Sequence, residues 1–236
     1  MSNSGKPKAV VTRWWWVRHA PVRGDGGNIY GQTDIACDTS DCEVFVAVAK
    51  ILPRNAVWYA SNLMRTHQTA EAIWAAGFPK PATMSREAAF AEQHLGQWQG
   101  MNRVEFIASR PAGSHWFSDI NEPVPGGESF MDLYNRTCGA IDRINLEQAG
   151  KDVIAVGHGG TIRAAVGLAL GGQAEKGLAF DIDNCSVTRL DHFARPGKSV
   201  WRLPMVNQQP WMADAAHAAM HQPAGADVVT AETKLA

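Results

Sequence analysis

Three short apolar runs in this chain each end abruptly on polar or glycine residues, and that repetition limits the folds open to it. Val10-Val11-Thr12-Arg13-Trp14-Trp15-Trp16 runs into Val17-Arg18-His19-Ala20. Ala56-Val57-Trp58-Tyr59-Ala60 leads into the helix-forming Ser61 to Ala70, which carries Arg65. Asp152-Val153-Ile154-Ala155-Val156-Gly157 ends in His158-Gly159-Gly160 before an apolar helix from Thr161 to Leu170. Runs this apolar suit strands covered on both faces, as in a parallel sheet flanked by helices, and the Trp14-Trp15-Trp16 triplet fits that reading. The carboxyl ends of such strands share one edge, which brings Arg18, His19, Arg65 and His158 together.

The remaining sequence alternates accordingly. Residues 21–41 hold four glycines and Pro21, a long loop over the sheet edge. Cys42 to Leu52 predicts a helix from Val44, Val48 and Leu52 at i, i+4 and i+8. The helix containing Arg65 runs to about Ala76 and stops near Gly77 and Pro79. Ala82-Thr83-Met84 is a candidate short strand. Residues 93–125 form an insertion rich in Trp, Pro and Gly, with a helical stretch from Arg103 to Ser109, placed to cover the site. Ser129 to about Leu146 predicts a helix with Glu128 at its start, where a carboxylate suits the dipole. Cys185 to Phe193 and Val200 to Val206 predict a terminal hairpin. Residues 1–207 thus read as one domain. An alanine-rich tail follows over 208–236, partly helical through Trp211 to Met220, and Trp211 is available to dock on the domain or on a second subunit of a homodimer.

A chain of 236 residues can bury a sizeable core, and its net charge of −1 provides no global field for nucleic acid. Cys37, Cys42, Cys138 and Cys185 have no CxxC spacing and read as free thiols in a reducing compartment. The polar start and the interruption of the first apolar run by Arg13 favour neither a signal peptide nor a membrane span, so a cytoplasmic location is expected. His115, His192, His217 and His221 lack metal-ligand spacing, and neither a metal nor another cofactor is expected.

Two arginines and two histidines at one edge make a cationic, phosphate-sized cup. A guanidinium offers a planar fork that fits phosphate oxygens, and a neutral imidazole beside it can attack phosphorus. His19 would be that nucleophile, using one ring nitrogen while the other donates to a backbone carbonyl. Arg18 and Arg65 would hold phosphoryl oxygens. His158, ahead of a helix start, would donate to the same oxygens.

The chain resembles the histidine phosphatase superfamily, which includes cofactor-dependent phosphoglycerate mutases, fructose-2,6-bisphosphatase and α-ribazole phosphatase. The resemblance covers most of residues 10–193 and rests on patterns met in order: Arg18-His19; Tyr30 to Asp34; Ser61 to Ala70; Glu92 with Gly96, Trp98 and Gly100; Pro125 to Ser129; Gly157 to Gly160; and Asn184 to Thr188. Ala20 stands where glycine is commoner, Asn62 where many relatives have proline, and Thr66 where alanine is common.

The resemblance implies a three-layer α/β/α fold with a mostly parallel central sheet, phosphoglycerate mutase-like. It also implies metal-independent hydrolysis of a small organic phosphate through phosphohistidine. Glu92 would be the general acid, and Gln32 and Thr33 would line the phosphate cup unless they form a plain turn. Ser61 and Asn184 would steady the surrounding loops. Whether the glycines of Pro125-Gly126-Gly127 admit substrate or make a tight turn stays open. A mutase-type isomerase, a non-catalytic phosphate- or phosphopeptide-binding module and a phosphoprotein phosphatase are the alternatives. Hydrolysis is favoured because residues 101–125 offer separated Arg103 and Arg110 beside Trp116 and Phe117, a wall suited to a neutral or ring-bearing body.

Overall fold

In the computed structural model, which describes residues 9–110 and 119–212, the apolar runs are strands. The strands are β1 (Val10–Arg18), β2 (Val57–Ala60), β3 (Met84–Arg86), β4 (Asp152–Gly157), β5 (Val187–Arg195) and β6 (Lys198–Gln208). They form one sheet in the order β3-β2-β4-β1-β5-β6. β3, β2, β4 and β1 are parallel neighbours, and the hairpin of β5 and β6 closes one side antiparallel. The helices are α1 (Cys42–Ile51), α2 (Met64–Ala75), α3 (Arg103–Ala108), α4 (Phe130–Glu147), α5 (Gly159–Ala169) and α6 (Ala174–Gly177).

The tryptophan triplet shows why the sheet needs both helix layers. Successive side chains of a strand face opposite sides. Trp15 and Val17 therefore join Phe45, Val48, Leu52 and Ile73 of α1 and α2 on one face. Trp14 and Trp16 join Ile141, Ile144, Ile162 and Val166 of α4 and α5 on the other. Trp14 and Trp16 stack at 5.4 Å, and Phe90 meets Trp16 edge-on at 4.8 Å. Burial of each indole is made tolerable by a partner for its polar tip where one is in reach: Trp14 Nε1 donates to Asn145 Oδ1 (2.9 Å) and Trp15 Nε1 to Asp152 Oδ1 (2.9 Å). The fold is the mixed, mostly parallel α/β sheet implied by the resemblance.

This layering also decides where a ligand can sit. The chain leaving β1 turns toward the face covered by α1, while the chain leaving β4 turns into α5 on the opposite face. β1 and β4 are adjacent, with Arg18 level with Gly157. Their diverging exits open a crevice at the carboxyl edge, the switch point at which open α/β sheets bind ligands.

Element ends differ from expectation where a neighbour sets them. The third strand lies at Met84–Arg86 rather than 82–84, because the ladder of β2 pairs Trp58, Tyr59 and Ala60 with Met84, Ser85 and Arg86. Cys185 adopts a left-handed φ of 61°, so β5 begins at Val187, and the hairpin turns tightly at Gly197 (φ 71°). α4 is capped by Ser129 in a reciprocal box with Asp132, and Glu128 serves elsewhere. Trp211 packs half-buried against the core beneath α1 and α2. Most of the expected tail helix, together with His115, Trp116, Phe117, His217 and His221, lies outside the described residues. Among the described residues no helix is long and apolar enough to cross a membrane.

Candidate active site

His19, Arg65 and His158 meet at the crevice, buried to 1%, 0% and 0% exposure, with the two imidazole rings 5.1 Å apart. The backbone that presents His19 is tied down on several sides. His19 N–H donates to Gly157 O (3.0 Å), Asn184 Nδ2 donates to His19 O (2.8 Å), and Ala20 N–H donates to Thr69 Oγ1 (2.8 Å). Ser61 holds the other ring, its Oγ lying 2.8 Å from His158 Nε2.

Hydrogen bonding assigns the protons. Nδ1 of His19 lies 2.7 Å from Ala20 O, and a carbonyl accepts only, so Nδ1 carries the hydrogen and Nε2 keeps its lone pair. Arg65 Nε donates to His158 Nδ1 (3.3 Å), so a neutral His158 holds its proton on Nε2 and donates it to Ser61 Oγ. Burial, then the charges of Arg65 and Arg18, holds His19 well below the ordinary imidazole range, against the pull of Ala20 O. Burial, then His19, Arg65, Arg18 and Arg136, does the same to His158. Both rings are therefore neutral near pH 7, and His19 presents a nucleophilic nitrogen.

Arg65 is fully ordered by the chain around it. It donates to Thr33 O (2.9 Å) and Gly31 O (2.7 Å) and lies 5.1 Å from the Tyr30 ring. Arg18 donates through one terminal nitrogen to Ile182 O, while its buried Nε has no hydrogen-bond partner. An orphaned, buried, charged donor at the crevice marks a place for an anion's oxygen.

Glu92 forms the facing wall. Its carboxylate accepts from Gln93 N–H (2.9 Å) and from Gly160 N–H in the first turn of α5 (3.2 and 3.3 Å to the two oxygens). Arg136 of α4 clamps the loop behind it, donating to Ala91 O (2.9 Å) and Glu92 O (2.9 Å) and pairing with Glu128 (2.6 Å). Glu128 in turn accepts from His94 N–H (2.8 Å). Glu128, expected to sit at a helix start for its dipole, instead locks the loop that carries Glu92. Gly127 explains the glycines beside it: a Cβ there would lie 2.2 Å from His94 O, so the turn packs on the Glu92 loop rather than on a ligand.

Gln32 and Thr33 stand behind this wall. The Gln32 side-chain amide donates to Glu92 O (2.8 Å), and Thr33 contributes its carbonyl to Arg65. Above the buried trio opens a cleft of about 650 Å³ whose lining includes Arg18, Glu92, Gly160, Tyr30, Arg103 and Arg163. Arg163 and Arg136 were not singled out from sequence. Arg163 had a signal, since it lies four residues after Gly159 and so on the same helix face. Arg136 had none, because the loop carbonyls that it holds are more than 40 residues away in the chain. All four cysteines are free thiols, and among the described residues no group of three or more His, Cys, Asp or Glu is placed to hold a metal ion.

Comparisons with known proteins place this fold in a family. A sequence profile of the histidine phosphatase superfamily (branch 1) matches residues 14–203. The chain is 31% identical over 172 residues to a glucosyl-3-phosphoglycerate phosphatase of Mycolicibacterium vanbaalenii, covering 68% of this chain and 75% of that one. It is 32% identical over 170 residues to a metal-independent phosphoserine phosphatase of Arabidopsis thaliana, covering 69% and 71%. Among solved structures, a mycobacterial glucosyl-3-phosphoglycerate phosphatase superposes with a TM-score of 0.70 at 25% identity, covering 84% of this chain and 99% of that one. The crevice with its two buried neutral histidines lies within the matched residues, and the chain belongs to the histidine phosphatase superfamily.

Proposed function

We propose that this chain is a metal-independent phosphomonoesterase that works through a phosphohistidine on His19. The observation that carries the reading is the lone pair on His19 Nε2, set in a buried, neutral ring beside an Arg18 Nε that has no partner. Nε2 attacks phosphorus and the ester P–O bond breaks. Arg18, Arg65 and the N–H groups at the start of α5 stabilise the transferring oxygens. Arrival of the phosphoryl dianion opposes the surrounding positive charge, which favours protonation of His158 at Nδ1 and turns it from acceptor into donor. Glu92 protonates the leaving oxygen, then takes a proton from the water that attacks phosphohistidine; inorganic phosphate leaves and His19 regains its lone pair.

The substrate class follows from the relatives. The names of two similar proteins specify glucosyl-3-phosphoglycerate and phosphoserine. Both are phosphate esters on the third carbon of a three-carbon carboxylate, and we extend that skeleton to this chain. The test is brief reaction with labelled substrate, which should leave an acid-labile, base-stable adduct on the wild type and none on His19→Ala. Label kept by His19→Ala would remove His19 from the role. Isomerisation of 3-phosphoglycerate outrunning phosphate release would make the chain a mutase, and absence of any adduct or turnover would make it a binding module.

A further inference from the structure

Past its phosphate end, the cleft has two walls that treat charge differently. On the side of α3, Arg103 is committed: it pairs with Asp25 (3.3 Å), donates to Asn28 O (3.1 Å) and lies 5.9 Å from the Tyr30 ring. Arg110 lies over the rings of Trp98 (5.2 Å) and Phe106 (5.3 Å). The opposite wall carries Arg163 of α5. Its Nε donates to Phe180 O (2.8 Å), which fixes the plane of the guanidinium, and among the described residues no carboxylate forms an ion pair with it.

Arg163 sits close to another positive charge. Its Nη1 lies 3.5 Å from the point where a Cβ on Gly159 would sit, and Arg18 Nε lies 3.6 Å from the same point. Together these distances keep the two nitrogens within about 7 Å of each other. Two half-buried guanidinium groups at that separation repel, and burial together with Arg18 disfavours the charged form of Arg163. Glu92, Asp181 and Asp183 favour it from a distance. An arrangement of this kind is relieved by an anion that occupies the cleft.

The place of that anion follows from the same distances. Arg163 starts about one turn beyond Gly159 on α5, but its side chain reaches back toward the helix start, so Nη1 stands level with Gly159 and within about 7 Å of Arg18 Nε. Two guanidinium groups so spaced can each hold one end of a small ester whose second acidic group is a few bonds from the ester oxygen. We propose that Arg163 binds a carboxylate of the substrate beside the phosphoryl group held by Arg18, so that the site selects phosphate esters of small carboxylic acids over neutral esters. The proposal deepens the phosphatase reading and rests on it. It also replaces the neutral-body expectation drawn from residues 101–125, which considered one wall alone.

The test uses two substrate pairs that differ by the carboxylate: phosphoserine against phosphoethanolamine, and 3-phosphoglycerate against glycerol 3-phosphate, with an aryl phosphate as reference. The wild type should prefer the acidic member of each pair. Arg163→Gln should lower kcat/KM for the acidic members about 10- to 100-fold more than for their partners, chiefly through KM, as expected for loss of a charge-assisted, two-pronged contact. Arg163→Lys should recover part of the preference, as a point charge without the fork. Equal losses within each pair would overturn the proposal and assign Arg163 to holding the loop at Phe180. A wild type that hydrolyses the aryl phosphate without preferring the acidic members would also overturn it, while leaving the phosphatase reading intact. A wild type that hydrolyses nothing and forms no phosphohistidine would bring down both.

Discussion

Gly160→Ala tests the role of Glu92 without touching Glu92. A Cβ at Gly160 would lie 2.3 Å from Glu92 Oε1 and 2.9 Å from Leu133 Cδ2, where ordinary contact begins at 3.4 Å. The carboxylate has to move by about 1 Å, which disturbs the bonds that its Oε1 accepts from Gly160 N–H and Gln93 N–H. Misplacement of that size in a reacting group costs about 100-fold, within the range of roughly 10² to 10⁴ that a positioned general acid supplies. Gly160→Ala should therefore slow alkyl phosphates about 100-fold. Aryl phosphates, whose leaving oxygen needs little protonation, should slow by much less. The clashing atoms are the ends of flexible side chains and the site lies in a helix, so stability should change by no more than about 1 kcal/mol. Gly139→Ala on α4, where nothing lies within 4 Å of the new Cβ, is the matched control and should leave both rates unchanged. Equal slowing of alkyl and aryl esters, or no slowing at all, would refute the assignment of the proton to Glu92.

Stability should fall on acidification, because His19 and His158 have folded pKa values below the ordinary 6.5. Their contribution is complete above about pH 6.5 and is lost as pH falls toward those values, at up to about 1.4 kcal/mol per pH unit for each ring. Urea unfolding between pH 7.5 and 5.5 reads that slope, and a slope unchanged in a His19→Gln/His158→Gln double variant would refute it. Phosphate release should survive exhaustive chelation, since the charge clamp is built from guanidinium and imidazole groups. Loss restored by a divalent ion would reject that mechanism.

What could be read from the sequence divides along a physical line. β1 and β4 were legible because burial on both faces makes a strand nearly continuous in apolar residues, and their polar exits then named Arg18, His19 and His158. Arg65 followed because it opens the helix after another such strand. Glu92 was legible only through the pattern it heads with Gly96, Trp98 and Gly100, since a carboxylate in a loop has no periodicity of its own. Arg136 was illegible for the opposite reason, and Arg163 offered only its spacing from Gly159. An arginine on a helix looks alike in sequence whether it faces solvent, a neighbouring loop or a cleft. The ends of β3 escaped for a third reason, being fixed by the register of β2 rather than by the residues that form them.

The charge balance of the site links these elements to its chemistry. Burial alone would make His19 neutral and nucleophilic, but burial also withholds the proton that His158 needs in order to donate. The fold resolves this by letting Arg65 occupy His158 Nδ1, while Ser61 fixes the ring through Nε2. In the proposed reaction an arriving dianion reverses the sign of the local field at one stroke. It draws the Arg65 donor toward itself, raises the proton affinity of Nδ1 and leaves Nε2 bonded to Ser61. His19 keeps its Nε2 lone pair until it attacks, because its Nδ1 hydrogen is held by Ala20 O, a carbonyl that cannot donate. One ring is thus locked in the nucleophilic tautomer by the backbone, and the other is left free to take up a proton when phosphate arrives. This division of labour requires two histidines in the same buried cup to have different partners on their second nitrogens, and the exits of β1 and β4 provide them.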